Sequence, residues 1–300
     1  MEPWIPLTIA AAAFQTLRFM AQKHLKATTL STGGATLVRF LYSAPLVAVC
    51  VGLYATLSGQ ALPAPGPGFW PYALTGGLAQ ILATMCVVAI FAHRNFAVGI
   101  TFKKTEVMLT AIVGFVVLGD TVSWAGAGAI ALGFLGVLWL SDPPEAVGPW
   151  RARVFNRAVA LGLTSGLFFA ISAVGYRGAV LAMTGGDTGL RAGATLAVVT
   201  AAQTLALGAW LIWREPGQIA AVGYAWRVAL PTGVLSMLGS FSWFTAFSMQ
   251  NAAYVFALGQ IELIFSVFAS VLFFGERIVR REYAGMAVLT VSIVVLVAVT

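Results

Sequence analysis

The chain has 300 residues, of which 60% are hydrophobic and only 9% are charged, and its mean hydropathy is +0.91. Soluble domains carry roughly 25% charged residues, so this composition excludes a water-soluble globular protein. The net charge of +7 comes mainly from Lys and Arg between apolar runs, which suits lipid headgroups better than nucleic acid. The two cysteines, Cys50 and Cys86, lie within apolar runs and give no disulfide or metal-ligand pattern.

Apolar runs of about 20 residues, the length that crosses a ~30 Å hydrocarbon core, follow one another along the chain. They predict an all-α integral membrane protein with ten transmembrane helices around a central cavity. The predicted spans are roughly 4–22, 33–55, 70–91, 96–118, 122–140, 157–179, 190–213, 227–248, 252–274 and 283–299. The segment SDPPEAVGPWRARVFNR lies near the midpoint, so we expect two five-helix repeats, residues 1–145 and 146–300.

An internal repeat links the fourth and ninth spans. Residues 91–122 align with residues 247–278 at a constant offset of 156 positions. Matched pairs include Glu106 with Glu262, Thr110 with Ser266, Gly119 with Gly275 and Asp120 with Glu276. Because each half has an odd number of spans, we expect the second copy to be inverted. Inverted repeats are typical of secondary transporters, with a substrate site near the midplane between the repeats.

Loop charges predict the orientation of the chain. The loops after odd-numbered spans carry most of the loop cations, whereas those after even-numbered spans carry only Arg177 and Arg191. The positive-inside rule then places the odd loops in the cytoplasm and both termini outside.

The segments TEVMLTAIVGFVVLGDTV and IELIFSVFASVLFFGERI resemble the EamA repeat of the drug/metabolite transporter superfamily, in which a long helix ends in a Leu-Gly-Glu-like turn. The resemblance implies a ten-span exporter of amino acids or related metabolites in the bacterial inner (plasma) membrane, with no enzymatic activity and no cofactor. Family members usually keep both termini in the cytoplasm, contrary to the loop charges. They also often have Pro after the helix glutamate, where Val107 and Leu263 stand here, so no proline is present to kink the helix.

The glutamates of the repeat are the strongest functional candidates. Glu106 and Glu262 each lie about ten residues into a span, where a charge costs ~2.5–3.5 kcal/mol and usually faces a cavity or a partner. Thr110 and Ser266 follow at i+4 and extend a polar stripe along each helix. We expect the carboxylates to bind a substrate amine or to take up a coupling proton. The alternative is that each only holds helices together, satisfied by a partner such as Lys103 at i−3.

Four cations accompany these glutamates. Lys103 and Lys104 project about 100° apart on a helix, so only one can pair with Glu106 while the other lines the cavity or snorkels. Arg18 and Arg39 lie near span ends, where snorkelling to the interface is favoured, although Arg39 stays among the binding candidates. The cations outnumber the two glutamates, which favours a substrate that carries a carboxylate or a phosphate.

Span eight contains the aromatic run GSFSWFTAFSMQ, which places Trp243 and Phe247 at i and i+4. Such a wall stacks rings or holds an ammonium by cation–π contact, with ordinary packing as the alternative. Residues 125–136, AGAGAIALGFLG, predict a close helix–helix contact.

The sequence therefore predicts a secondary transporter that moves a small polar metabolite by alternating access, with proton coupling as an option. Export of an amino acid with an aromatic or large apolar side chain is the favoured hypothesis. Transport of an organic anion or a phosphorylated metabolite is one alternative, and an integral-membrane lipid-modifying enzyme is another. Expected partners are the substrate and membrane lipids but no nucleic acid, in a monomer or weak homodimer. The substrate-binding candidates are Glu106, Glu262, Lys103, Lys104, Thr110, Ser266, Gln260, Trp243, Phe247 and Arg39.

Overall fold

The structure is a computed structural model that describes residues 2–28, 30–90, 103–141, 157–265, 268 and 280–300. The candidate Ser266, the turn residue Glu276 and the start of the fourth predicted span lie outside the described residues. The elements in chain order are α1 (Trp4–Thr28), α2 (Thr32–Leu41), α3 (Ser43–Ser58), β1 (Ala64–Pro65), α4 (Phe69–Ile90), α5 (Glu106–Leu118), α6 (Trp124–Ser141), α7 (Arg157–Leu181), β2 (Met183–Thr184), α8 (Thr188–Arg214), α9 (Gln218–Tyr224), α10 (Trp226–Met249), α11 (Ala252–Gly259) and α12 (Arg280–Val299).

Several of these helices are long and apolar enough to cross a membrane. The described residues contain five such segments, namely Thr32–Ser58, α4, α7, α8 and α10, and shorter apolar helices within α5, α6, α11 and α12. Helix α1 is as long as these but more polar, because it carries Gln15 and Arg18. The all-α membrane class is therefore confirmed, whereas the count of ten spans stays a prediction.

The distribution of side chains is that of a protein surrounded by lipid. Large apolar residues such as Leu57 and Val116 are more than 70% exposed, whereas Arg18, Gln22 and Glu106 are buried. Trp124 and Trp213 stand at helix ends with 95% and 75% of their surface exposed, as in the aromatic belts at membrane–water interfaces. The candidates for function are therefore the polar groups that are buried inside the helix bundle.

Three predicted spans are broken within their length. The second span splits at Tyr42 into α2 and α3, just before Pro45, which cannot donate a backbone hydrogen bond. The fourth and ninth spans are interrupted at Lys104–Thr105 and at Gln260, directly before their glutamates. Around Gln260 the bonding turns to i→i+3, with Leu263 N donating to Gln260 O at 2.9 Å. These helices therefore break without a proline, which the sequence did not indicate.

Loops that the alternating topology places on one side contact one another. Strands β1 and β2 pair antiparallel, Ala64 opposite Thr184, and join the loops after the second and sixth predicted spans. The loops after the first and seventh predicted spans meet where the Ser31 N–H donates to Gln218 Oε1 at 3.0 Å. Even loops thus contact even loops, and odd loops contact odd loops.

Two helix caps recur at the offset found in the sequence. Ser31 Oγ accepts from Gly34 N at 2.9 Å, and Asp187 Oδ1 accepts from Leu190 N at 2.8 Å. Both the caps and the amides that they bind stand 156 positions apart. The Asp187 carboxylate also accepts from Tyr54 Oη at 2.7 Å and from Gln60 Nε2 at 2.8 Å. These hydrogen bonds lower the pKa of Asp187 to about 2.

Helices α6 and α12 pack closely through small residues, as the sequence of span five predicts. A Cβ on Gly133 would meet Ser292 Oγ at 2.6 Å, and a Cβ on Gly136 would meet the backbone N of Leu289 at 2.9 Å. Leu289 is 156 positions after Gly133, and Ser292 is 156 positions after Gly136. The contact of Gly133 with Ser292 and that of Gly136 with Leu289 therefore exchange under the repeat. The offset of 156 therefore extends well beyond the fourth and ninth spans.

Candidate functional site

The two glutamates of the repeat are buried and lie directly after the helix breaks. Glu106 is 3% exposed and Glu262 is 8% exposed. Each follows the interruption of its helix, at Lys104–Thr105 and at Gln260 respectively. Broken helices of this kind free backbone groups and side chains to face a binding site in the membrane interior.

Each glutamate has its own lysine. Lys103 Nζ lies 2.9 Å from Glu106 Oε1, and Lys104 Nζ lies 2.9 Å from Glu262 Oε2. The pair of Lys104 and Glu262 joins the two halves of the chain. The sequence indicated only a pair within one helix, between Glu106 and Lys103 three residues before it. Gln15 Nε2 also donates to Glu262 Oε2 at 3.0 Å. Glu262 is therefore held by two donors from other helices.

Arg39 is the centre of a second polar cluster. Its Nη1 donates to Thr84 Oγ1 at 3.1 Å, and its Nη2 donates to Ser240 Oγ at 3.3 Å. When the Gln80 amide oxygen faces the guanidinium, that oxygen accepts from both Nη atoms, and the amide nitrogen donates to Ser172 Oγ. Thr84 and Ser240 are 156 positions apart, so Arg39 bridges equivalent sites of the two halves.

The snorkelling interpretation is wrong for both arginines. Arg18 is 2% exposed and Arg39 is 7% exposed. Helix α1 continues to Thr28, beyond the predicted end of its span at residue 22, so Arg18 lies too deep to reach the interface. Its Nη2 donates to Gln15 Oε1 at 3.3 Å, whereas its Nη1 is buried without a hydrogen-bond partner among the described residues.

A narrow cavity of about 30 Å³ lies between these groups, which is room for about one or two water molecules. Five of the predicted binding residues line it, namely Arg39, Lys103, Glu106, Trp243 and Phe247. Its other lining residues are Gln15, Gln80, Phe169, Ser172, Ala173, Tyr176, Ser240, Phe244 and Phe256. The cavity thus combines cations, one carboxylate, hydroxyls and aromatic rings.

The other predicted residues that the structure describes, Glu262, Lys104, Gln260 and Thr110, lie outside this lining. Glu262 contacts the lining residue Gln15, and Lys104 and Gln260 border a separate small pocket. Thr110 is buried, and its hydroxyl donates to the backbone oxygen of Glu106 at 2.6 Å. The polar stripe on α5 therefore leaves the cavity after its glutamate.

One wall of the cavity is aromatic. The Trp243 and Phe247 rings stack at 5.7 Å between centroids, and Phe256 meets Phe247 edge-on at 5.4 Å. The Trp243 indole N–H is buried without a hydrogen-bond partner among the described residues. Across the cavity, Lys103 Nζ lies 4.7 Å from the centre of the Phe169 ring. The cavity lining thus includes aromatic rings, an indole N–H and a cation, while the packing interpretation of the wall stays open.

Several lining residues were missed from the sequence. Gln15, Gln80 and Ser172 are isolated polar residues within long apolar runs. A polar group in a membrane helix usually faces the bundle interior, so that isolation was an available signal. The hydroxyl of Tyr176 accepts from Gln203 Nε2 at 3.0 Å. The sequence gave no comparable signal for Tyr176, because aromatic residues are common both on lipid-facing and on inward-facing sides of membrane helices.

Contacts between loops close the bundle on the even-loop side. Arg177 Nε lies 2.8 Å from Asp120 Oδ2, and Arg177 Nη1 donates to the backbone oxygens of Phe247 and Gln250 at 2.6 and 2.8 Å. We call this group of four residues the Arg177 latch. The nearby Asn251 Nδ2 donates to Thr121 O at 3.2 Å. The latch ties the turn after α5 to the end of α10, the helix that carries the aromatic wall.

A polytopic helical bundle with a buried, charged cavity between its helices has the architecture of a membrane transporter. Residues 156–298 match the model of the EamA-like transporter family. This match, which lies in the second half of the chain, confirms the EamA resemblance, and the family that it names is one of membrane transporters. One solved crystal structure of a protein superposes with a TM-score of 0.71 over 99% of this chain and 96% of its own, at 14% identity. That likeness concerns the fold alone. No curated protein sequence matches this chain.

Proposed function

We propose that the protein is a secondary transporter for zwitterionic amino acids with an aromatic or large apolar side chain. One observation carries the proposal. A single cavity brings together a guanidinium whose described partners are all neutral, a carboxylate oxygen without a hydrogen-bond partner among the described residues, and a wall of aromatic rings. These three groups match the carboxylate, the ammonium and the side chain of such an amino acid.

Arg39 is the group best suited to the substrate carboxylate. Both lysines already have a glutamate at 2.9 Å, whereas no described carboxylate lies within ion-pair distance of Arg39. A guanidinium binds a carboxylate through two parallel hydrogen bonds, which fix the orientation of the ligand. Both lysines were binding candidates from the sequence, but because each has a glutamate partner we assign the substrate carboxylate to Arg39.

Glu106 is the group best suited to the substrate ammonium. Its Oε1 forms the ion pair with Lys103. Its Oε2 is buried and has no hydrogen-bond partner in the described part of the chain. A buried acceptor without a donor costs about 1–3 kcal/mol, so a ligand that donates to it gains that much. A carboxylate in a membrane interior is also a group that can carry a coupling proton.

Transport requires this cavity to enlarge, because about 30 Å³ does not admit an amino acid. We propose alternating access between two inverted five-helix repeats, residues 1–145 and 146–300, which the contacts recurring at an offset of 156 support. Opening of the Arg177 latch would give access from the even-loop side. The direction that we propose is export across a bacterial plasma membrane.

A second candidate function has its own support. In the part of the chain that the structure describes, four cations and two glutamates are buried, so this cluster carries a surplus of positive charge. The cations are Arg18, Arg39, Lys103 and Lys104. That surplus favours an organic anion or a phosphorylated metabolite as the cargo.

Thermal unfolding of the detergent-purified protein distinguishes the two candidates, because a ligand that binds the native state raises the melting temperature. The ligands are phenylalanine, 3-phenylpropionate without its ammonium, 2-phenylethylamine without its carboxylate, and a sugar phosphate. The proposal predicts the largest rise with phenylalanine, followed by its uptake in counterflow assays with proteoliposomes. A rise with the sugar phosphate or 3-phenylpropionate that exceeds the rise with phenylalanine would favour the anion transporter.

A further inference from the structure

Among the described residues, the buried charges of the cavity region do not balance. Lys103 and Lys104 are each neutralised by a glutamate at 2.9 Å. The surplus therefore resides on Arg18 and Arg39, and the charges that act most strongly on Arg18 are those of Arg39 and Glu262. A buried ion without a counter-charge is strongly destabilising. A zwitterion adds no net charge, so an amino-acid substrate alone leaves this surplus in place.

The groups around Arg39 suit a small anion. Its described hydrogen-bond partners are the Thr84 and Ser240 hydroxyls and the Gln80 amide, all neutral. Hydroxyl groups rotate freely and can turn their O–H toward an anion. The same cavity is lined by Ser172 and by Lys103. An anion there would therefore meet two cations and several hydroxyl donors.

The size of the cavity selects the kind of anion. A volume of about 30 Å³ holds one or two water-sized groups. A monatomic halide fits that space without movement of helices, whereas a carboxylic acid with a ring does not. The conformation described here is thus sized for an inorganic ion.

We propose that the substrate-free protein binds chloride beside Arg39, and that the carboxylate of the substrate replaces this chloride. The chloride supplies the missing counter-charge while the cavity is narrow. When the cavity opens, the substrate carboxylate takes the same hydrogen-bond donors and the halide leaves. The replacement step rests on the proposed function, whereas chloride binding does not.

Thermal unfolding at constant ionic strength tests the site, with potassium gluconate exchanged stepwise for potassium chloride or bromide. The wild type should show a saturable rise in melting temperature. Arg39→Gln should abolish the rise, and Arg39→Lys should retain part of it. Arg191→Gln removes an arginine at the start of α8, away from the cavity lining, and should keep the full rise. A melting temperature that is indifferent to the exchange, or a rise that persists in Arg39→Gln, would overturn the proposal.

Two measurements on the wild type keep the test independent of how the variants fold. Crystals grown in bromide should show anomalous density in contact with the Arg39 guanidinium, and a cavity without such density would contradict the site. Raising chloride to ten times its Kd should weaken phenylalanine binding about tenfold by competition and leave 2-phenylethylamine unaffected. An unchanged phenylalanine affinity would refute the replacement step. Chloride binding without any phenylalanine binding would instead refute the proposed function.

Discussion

Glu106 and Glu262 stand at equivalent positions of the two halves and have different surroundings. Both are buried directly after a helix break. Glu106 lines the cavity and has one oxygen without a hydrogen-bond partner among the described residues, whereas Glu262 accepts from Lys104 and Gln15 outside the cavity lining. The same residue in the same local structure therefore lines the cavity in one half and forms an ion pair between the halves in the other.

The difference extends to the residues around the glutamates. The first half supplies Arg39, Lys103 and Lys104, and the residues 156 positions later are Thr195, Gly259 and Gln260. The second half supplies the aromatic wall, where Trp243 corresponds to Val87. The repeats thus share a backbone scaffold and divide the chemistry of the site between them.

The largest expected effect is on stability, from Glu262→Gln. This change leaves Lys104 buried without a counter-charge, and breaking a buried ion pair typically costs about 3–5 kcal/mol. The free energy of unfolding in detergent measures the loss. The double variant Lys104→Met, Glu262→Gln should recover most of it, and a double variant as unstable as Glu262→Gln would show that the pair is not the cause.

The next largest effect is on binding, from Arg39→Gln. Loss of a charge-assisted hydrogen bond costs about 1.5–3 kcal/mol, so phenylalanine and 3-phenylpropionate should bind about 10–100-fold more weakly. Calorimetric titration should show no such loss for 2-phenylethylamine, which lacks the carboxylate. Thr195→Val alters the equivalent position of the second half and should leave all three affinities unchanged. Equal losses for the three ligands would remove the proposed role of Arg39.

A smaller effect on stability is expected at the contact between α6 and α12, which belong to equivalent positions of the two halves. Gly136→Ala places a methyl group 2.9 Å from the backbone of Leu289, and overpacking of this kind costs about 1–3 kcal/mol. Gly128 lies on the same helix with open space around its Cα, so Gly128→Ala should be neutral or stabilising by up to about 1 kcal/mol. Unfolding of both variants in detergent measures the contrast. Equal stabilities would mean that α6 and α12 are not packed as described.

The smallest effect concerns the caps. The hydrogen bonds from Tyr54 and Gln60 hold the pKa of Asp187 at about 2, below the value of about 3.9 for an unperturbed aspartate. The stabilisation from Asp187 is therefore complete above about pH 4 and is lost as the pH falls toward 2. Asp187→Asn should remove this component from an acid-unfolding series. A variant with the same acid dependence as the wild type would contradict the assignment.

The sequence predicted the membrane class, the family resemblance and the buried glutamates, because hydropathy and an isolated carboxylate are local signals. Five of its ten binding candidates, including Lys103 and Trp243, line the cavity, and their role in binding stays a prediction. It did not predict that Lys104 pairs with Glu262, since that contact joins residues far apart in the chain. The sequence also predicted wrongly that Arg18 and Arg39 snorkel to the interface. Whether a long side chain reaches the interface depends on where the helix ends, and a difference of a few residues in that end changes the outcome.

The sequence also did not predict the helix breaks at Lys104–Thr105 and at Gln260. Proline is the usual signal for such breaks and stands at neither position, and Gly259 precedes only the second break. Buried ion pairs flank both breaks, and no local pattern in the sequence reports them. The repeat offset of 156 was visible only where chemistry-bearing residues coincide. Elsewhere it emerged from contacts such as those between α6 and α12.

The most direct test of the account is the affinity of phenylalanine and 3-phenylpropionate for the wild type, Glu106→Gln and Glu262→Gln, measured by calorimetric titration. If Glu106 holds the substrate ammonium, Glu106→Gln weakens phenylalanine about 10–100-fold. The affinity for 3-phenylpropionate stays the same or rises, because Lys103 loses its counter-charge. Glu262→Gln should leave both affinities near those of the wild type. Equal losses of phenylalanine binding in the two variants, or an equal loss of both ligands in Glu106→Gln, would contradict the separation of roles between the two glutamates.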